Sequence, residues 1–344
     1  MKISVLDQSP VSEGSTGAVA LHNTLDLAKL ADKLGFTRYW VAEHHGTPLL
    51  ACANPEVMIA AIASITNRIR VGSGGVMLPH YSPLKVAETF SILSALFPER
   101  IDLGLGRAPG TDHHTAFALQ RDRRQAAPND FPEQLGELLG YLENNLPAGH
   151  PFARLADLPG RPHVPEVWLL GSSEQSAIWA ADSGLPYAFA DFINPNGAHF
   201  AEIYRQRFCP SETLKQPHII VAGWAVCAQT DAEAQRLASS ARMTRAMMNE
   251  GKLIPVPSIE KALRFLEQRG PNADTVARPR RAIIGDPSTV KGGIEELAAL
   301  YGADEVAVVT ITYDHAARLR SYELIAEVFE LPTTLDDPPT SRIS

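Results

Sequence analysis

The chain has little of what would tie it to disulfides, structural metal, nucleic acid or a membrane. Only three cysteines, Cys52, Cys209 and Cys227, occur in 344 residues. They lie far apart, no Cys-x-x-Cys occurs, and no histidine is near any of them in sequence. That argues against a disulfide scaffold and zinc-type spacing, and it gives the cysteines no nucleophilic role. A long basic run is also missing: 31 Lys+Arg face 39 Asp+Glu, for a net charge of -8. Nucleic acid and anionic membrane surfaces are therefore not expected partners. The densest basic cluster, Arg121, Arg123 and Arg124 around Asp122, reads as a solvated face. No signal peptide precedes the strand-like Ile3–Leu6, and no apolar stretch is long enough to span a bilayer. A cytoplasmic protein is the expectation.

What is present is an alternation of short β-rich runs and longer helical patterns. The strand readings are Ile3–Leu6, Tyr39–Ala42, Ile69–Gly72, Ile101–Gly106, Val167–Leu170, Tyr187–Ala190, Ile219–Cys227 and Glu305–Ile311. Helical patterns follow most of them, including 20–34, 56–65, 84–96, 174–182, 195–208, 231–249 and 316–329. Eight such units predict a (β/α)8 TIM barrel, with an open doubly wound sheet as the alternative. Residues 1–332 read as one domain and 333–344 as a C-terminal tail. Two stretches break the repeat: the polar 108–132 between the fourth strand and its helix, and the Pro/Gly-rich 250–280. Loops of that length are usually functional lids or disordered. The helix at 56–65 is almost wholly apolar or small, which suggests burial by another subunit.

Four constellations could carry chemistry. Glu43-His44-His45 ends the second strand, where parallel α/β proteins place active groups. Strand alternation brings only one of the two histidines to the barrel mouth. The triplet is open to a metal, an acid/base or a structural reading, and the first strand lacks the His-x-His of hydrolytic metal barrels. Gly72-Ser73-Gly74-Gly75 is either a kink or a bare backbone surface for a flat ligand. Arg107 follows Gly104 and Gly106 at a strand end. It is placed for a phosphate or for a surface salt bridge. The Gly-x-Gly-x-x-x-Gly spacing here is a weak dinucleotide signal. Gly171-Ser172-Ser173 with Ser176 opens a helix, and Ser172 and Gln175 have capping-box spacing. The same loop offers hydroxyls and free N–H groups at a positive helix end. Arg107 and this loop belong to adjacent units, so together they would form a bipartite phosphate clamp. His113-His114 reads as solvent-exposed.

As a set, these segments resemble the luciferase-like flavin monooxygenase family. The likeness runs through Tyr39–His45, Gly72–Gly75 with Pro79 and Pro83, Asp102–Arg107, Gly171–Ser173 with Ser176, and Gly184-Leu185-Pro186. It continues through Gly285-Asp286-Pro287 with Val290, and Gly302–Glu305, in the last two βα units. It is nearest to single-chain, non-luminescent relatives. The resemblance implies a barrel that binds FMN, as FMNH2, and oxidises a small organic substrate with O2. A separate flavin reductase would supply the reduced cofactor, and a homodimer is implied. Carried over residue by residue, Arg107, Ser173 and Ser176 would hold the flavin phosphate beside Gly171 and Ser172. Gly74-Gly75 would be a non-proline cis peptide against the ring, His44 the base or proton manager, and 250–280 the lid. Luciferase α chains carry a cysteine before the arginine; Gly106 here points away from light emission. Competing readings are an F420-dependent hydride-transfer enzyme, a non-catalytic flavin-binding protein, and a metal-dependent barrel hydrolase.

Overall fold

A computed structural model describes residues 1–107, 112–120, 123–124, 130–155, 157–269 and 282–333. Its strands are β1 (Lys2–Asp7), β2 (Arg38–Val41), β3 (Arg70–Ser73), β4 (Val76–Met77), β5 (Ile101–Gly106), β6 (Glu166–Gly171), β7 (Tyr187–Ala190), β8 (Ile219–Cys227), β9 (Ala282–Gly285) and β10 (Glu305–Val309). The helices are α1 (Gly17–Leu34), α2 (Pro55–Ile65), α3 (Pro83–Leu96), α4 (His113–Leu119), α5 (Phe131–Glu143), α6 (Glu174–Asp182), α7 (Ala198–Arg207), α8 (Asp231–Asn249), α9 (Ile259–Arg269), α10 (Pro287–Tyr301) and α11 (His315–Val328).

Eight parallel staves close on themselves in the order β1-β2-β3-β5-β6-β7-β8-β10, with β10 bonded to β1. The expected TIM barrel is present. Two strands lie off the ring. β4 continues the stave begun by β3: both pair with β5, on either side of Gly74–Gly75. β9 pairs with the outer half of β8, with Cys227 opposite Gly285. The sequence patterns did not separate out β9, which directly follows the irregular Pro/Gly-rich stretch 250–280.

Alternation sorts each stave into an outward face under the helices and an inward face. On β1, Ile3 and Val5 join the outer core, whereas Leu6 packs inside with Trp40, Trp168, Ala188, Ile220 and Ala307. Helix ends follow local chemistry. Thr16, Asn54, Thr230 and Asp286 accept N–H bonds at their helix starts, and Gly35 and Gly302 end α1 and α10 in left-handed backbone.

The two irregular stretches carry more helix than their composition suggests. Asp112 caps α4, so exposed His113 and His114 sit on a short helix, not a loop. Within 250–280, Ile259–Arg269 is the helix α9, whose Ile259 is buried with Leu237 and Ala238 of α8. Residues 270–280 of the expected lid lie outside the described residues, as do Arg121, Asp122 and residues 334–344 of the expected tail. No described helix is long and apolar enough to cross a membrane.

The N-terminal end of the barrel is filled with charge. Arg38 points inward from the start of β2. It donates to Asp102 on β5 at 2.8 Å, Glu305 on β10 at 3.2 Å and Glu166 on β6 at 3.4 Å. Arg70 Nε adds a 2.8 Å bond to Asp102, and Trp40 Nε1 another at 2.9 Å. Burial alone would lower the Arg38 pKa. Asp102, then Glu305 and Glu166, outweigh it and hold the guanidinium above its ordinary value. Asp102 and Glu305 are fully buried. Arg38→Met would strip Glu305 of its Arg38 partner and leave Asp102 with Arg70 alone, a loss of about 3–5 kcal/mol in chemical denaturation. A change below about 1 kcal/mol would show that the plug does not hold the barrel together.

Candidate functional site

The opposite, C-terminal end of the barrel holds a cavity of about 220 Å3. Its lower wall is apolar: Leu6, Trp40, Ala188, Ile220, Ala222 and Ala307. Its rim carries Gly74, Gly75, Gly106, Arg107, Gly171, Ser172, Ser173 and Ser176. Every cofactor-binding residue anticipated from the sequence therefore lines one space.

The floor comes from the broken stave. Between β3 and β4 the chain leaves the ladder, and the Gly74–Gly75 peptide is cis. The interruption strips β5 of backbone partners at Gly104, and Ser73 replaces them. Its hydroxyl donates to the Gly104 carbonyl at 2.8 Å and accepts the Gly104 N–H at 3.0 Å. A Cβ on Gly75 would stand 2.7 Å from the Gly104 oxygen and 3.2 Å from Leu170 Cδ2, so bare backbone is what fits there. The kink and the flat surface, two readings left open by the sequence, are one feature.

The anion-type rim comes from β5 and α6. Arg107 is exposed and stacks its guanidinium over the Trp179 ring at 5.3 Å. No carboxylate pairs with it among the described residues. Trp179 also lies 5.1 Å from Phe131, which lines the same cavity, so Arg107 is held over an aromatic shelf. The helix cap differs from the one the spacing suggested. Ser173 and Ser176 form the capping box, not Ser172 and Gln175. The chain stays extended one residue longer, and Ser172 instead has its carbonyl fixed by Asn194 Nδ2 at 2.9 Å. Ser176 Oγ bonds the Ser173 carbonyl at 2.7 Å and meets Tyr187 Oη at 2.9 Å. A Cβ on Gly171 would collide with Ser176 Oγ, which explains the glycine. At the start of α6 the first N–H groups lack intrahelical acceptors, as at any helix N-terminus.

The Glu43-His44-His45 triplet lies beyond the end of β2, and neither histidine lines the cavity, where alternation had placed one. Glu43 is fully buried and accepts from His45 Nε2 at 2.7 Å, the Met77 N–H at 2.9 Å and Tyr81 Oη at 2.9 Å. Burial and then Glu43 push the Tyr81 phenol up. His44 has a different environment. Its Nδ1 is buried with no hydrogen-bond partner among the described residues. Burial first, then the charge of His45, lower its pKa to about 4. His44 does not itself line the cavity; Met77, bonded to the adjacent Glu43, does. No group of three or more His, Cys, Asp or Glu side chains suited to a metal occurs among the described residues. Trp179, Phe131, Tyr187 and Tyr81 had no motif to mark them, because each enters through packing across elements.

The donors and the floor suit a phosphate-bearing flat ligand: a cation and a helix start at one end, bare glycine backbone and apolar walls beyond. Comparison with known proteins bears on which ligand family this is. The model of the luciferase-like monooxygenase family matches residues 1–304. A luciferase-like monooxygenase of Escherichia coli is 38% identical, over 95% of this chain and 96% of its own. An N-acetyl-S-alkylcysteine monooxygenase of Bacillus subtilis is 35% identical, over 95% of this chain and 98% of its own. The crystal structure of apo-MsnO8 superposes with a TM-score of 0.89 at 42% identity, covering 97% of this chain and 99% of that one. More distant structures share the fold. One is the oxygenating constituent of 3,6-diketocamphane monooxygenase from Pseudomonas putida in complex with FMN (TM-score 0.70, 21% identity, 95% and 97% coverage). Another is an F420-dependent secondary alcohol dehydrogenase (TM-score 0.64, 13% identity, 95% and 98% coverage). The chain belongs to the luciferase-like monooxygenase family.

Proposed function

We propose that this family member is an FMN-dependent monooxygenase that uses O2 on a small organic substrate, with FMNH2 delivered by a separate NAD(P)H:flavin reductase. The observation that carries the proposal is a convergence in one cavity. Arg107 and the Ser173–Ser176 helix start share a rim, and the rim continues into the bare Gly74–Gly75 floor. Arg107 and the α6 N–H groups would hold the FMN phosphate. Ser173 and Ser176 would add hydroxyls, with Gly171 and Ser172 giving close backbone approach. Gly74–Gly75 would seat the ring, and the apolar wall would keep water away. Bound FMNH2 supplies the electrons that activate O2.

His44 is the proposed base. Lowered to about 4, its imidazole is neutral at ordinary pH. Its Nδ1, unpartnered among the described residues and off the cavity lining, would take up a proton passed on from flavin or substrate. The relative named for S-alkylated N-acetylcysteine makes thioethers the first substrates to try.

A homodimer is part of the proposal. On α2, Met58, Ile59 and Ile62 are buried, yet Val57 is 65% and Ile65 36% exposed; on neighbouring α3, Ile92 is 47% and Leu96 64% exposed. A cluster of large apolar side chains at this face fits a second copy.

Anaerobic titration with FMNH2 tests the site. Saturable binding is expected, with Arg107→Ala at least about tenfold weaker, the worth of one charge-assisted hydrogen bond. Equal binding by the variant would remove Arg107 from the phosphate site. Preference for F420 over FMN would reassign the enzyme to hydride transfer. For His44, NMR titration should find proton uptake near pH 4, and His45→Gln should raise that value. Because the folded protein resists this protonation, its contribution to stability is lost as pH falls from about 6.5 towards 4. His44→Leu should lack that acid limb and lose substrate-dependent turnover. Undiminished turnover would refute the base role. Sedimentation should give a dimer for the wild type and a monomer for Val57→Glu/Leu96→Glu; an unchanged mass would place the interface elsewhere.

A further inference from the structure

Beyond Val41, the end of β2, main-chain bonds still tie the chain to its other neighbours: the Ala42 N–H reaches the Asp7 carbonyl and the His44 N–H the Cys52 carbonyl, each at 2.9 Å. What ties this segment to the chain after β3 is the Glu43 carboxylate. Its oxygens take the Met77 N–H at 2.9 Å, Tyr81 Oη at 2.9 Å and His45 Nε2 at 2.7 Å. Two of these donors come from the chain just after β3. Met77 stands two residues beyond Gly75, pairs with β5 at Gly106, and lines the cavity. Tyr81 fixes the carboxylate from the other side of that turn. A second main-chain bond, Gly74 N–H to the Val41 carbonyl at 2.8 Å, ties the near end of the floor to the near end of the triplet. The floor is thus pinned to the His44 segment at both of its ends, and the distal pin is a buried charge. A buried carboxylate is tolerated only when donors saturate it, so the donors and the carboxylate fix each other.

We infer that Glu43 is a positioning residue. It sets the distance between His44 and the Gly74–Gly75 floor, and so couples the proton-handling group to the flavin seat. The inference rests on the flavin reading of the cavity. It assigns to Glu43 no contact with flavin or substrate.

Glu43→Gln keeps the shape and removes the charge. FMN binding by the apo protein, read by flavin fluorescence, is expected to weaken by about tenfold, as for one lost charge-assisted hydrogen bond. The His44 imidazole resonance of histidine-labelled apo protein is expected to move at fixed pH. A purely structural Glu43 would lower the melting temperature with both readouts unchanged, and that result overturns the inference. If the variant does not fold, Tyr81→Phe removes one donor and leaves the charge. About threefold weaker FMN binding with a displaced His44 resonance supports the inference, and no change in either overturns it. If wild type binds no FMN, the flavin reading falls by itself. The His44 resonance then decides whether Glu43 positions His44: displaced in Glu43→Gln, it does; unmoved, it does not.

Discussion

The buried charge network around Arg38 is the constraint from which the rest of the barrel follows. A ring of parallel strands must fill its axis. Here the N-terminal third is filled by guanidinium and carboxylate groups from β2, β3, β5, β6 and β10. Ion pairs of this kind are costly to desolvate and tolerate little displacement, so they fix the stagger of five staves at once. Above them, Trp40 and Trp168 meet edge to face at 5.4 Å, and Arg38 stacks on Trp168 at 4.7 Å. With registry and closure secured below, the upper end can carry glycine and alanine on its inner face and stay hollow.

That gradient along the axis explains what was legible in the sequence. The ring was readable because eight short β-rich runs recur between helical patterns, and outward-facing apolar residues dominate each run. The site glycines and serines were readable because they cluster at strand ends. Partner relations were not. Arg38 fell just before the Tyr39–Ala42 strand reading, and nothing local showed that Asp102, Glu166 and Glu305, from three distant strands, would meet it. The cap at Ser173 was misplaced by one residue, since Ser172 and Ser173 offer the same hydroxyl and only the ψ of the preceding chain decides between them. The helix in 250–280 was underestimated because proline and glycine flank it closely.

The candidate site is built more from main chain than from side chains. Ser73 repairs the ladder beside Gly104, Gly171 makes room for Ser176, and Glu43 binds a main-chain N–H. The side-chain chemistry proposed for it rests on Arg107, the serine hydroxyls and His44. Such a division suits a cofactor that brings its own reactivity, because the protein then needs to present shape, an anion seat and a proton acceptor.

The clasp between β8 and β9 has a consequence for how this scaffold can vary. Cys227 and Gly285 are ladder neighbours, and the Ala228 N–H bonds the Gly285 carbonyl at 3.1 Å. The connection that carries α8 and α9 thus returns alongside the strand it left, and it is tied down once more at Val256, which is buried in the inner cluster and bonds the chain at Val11 and Glu13. Lengthening a segment closed in this way adds only a logarithmic entropy cost. Between these anchors the connection can change length without moving a stave, so descendants of one barrel could trade specificities by exchanging a module rather than refounding the enzyme.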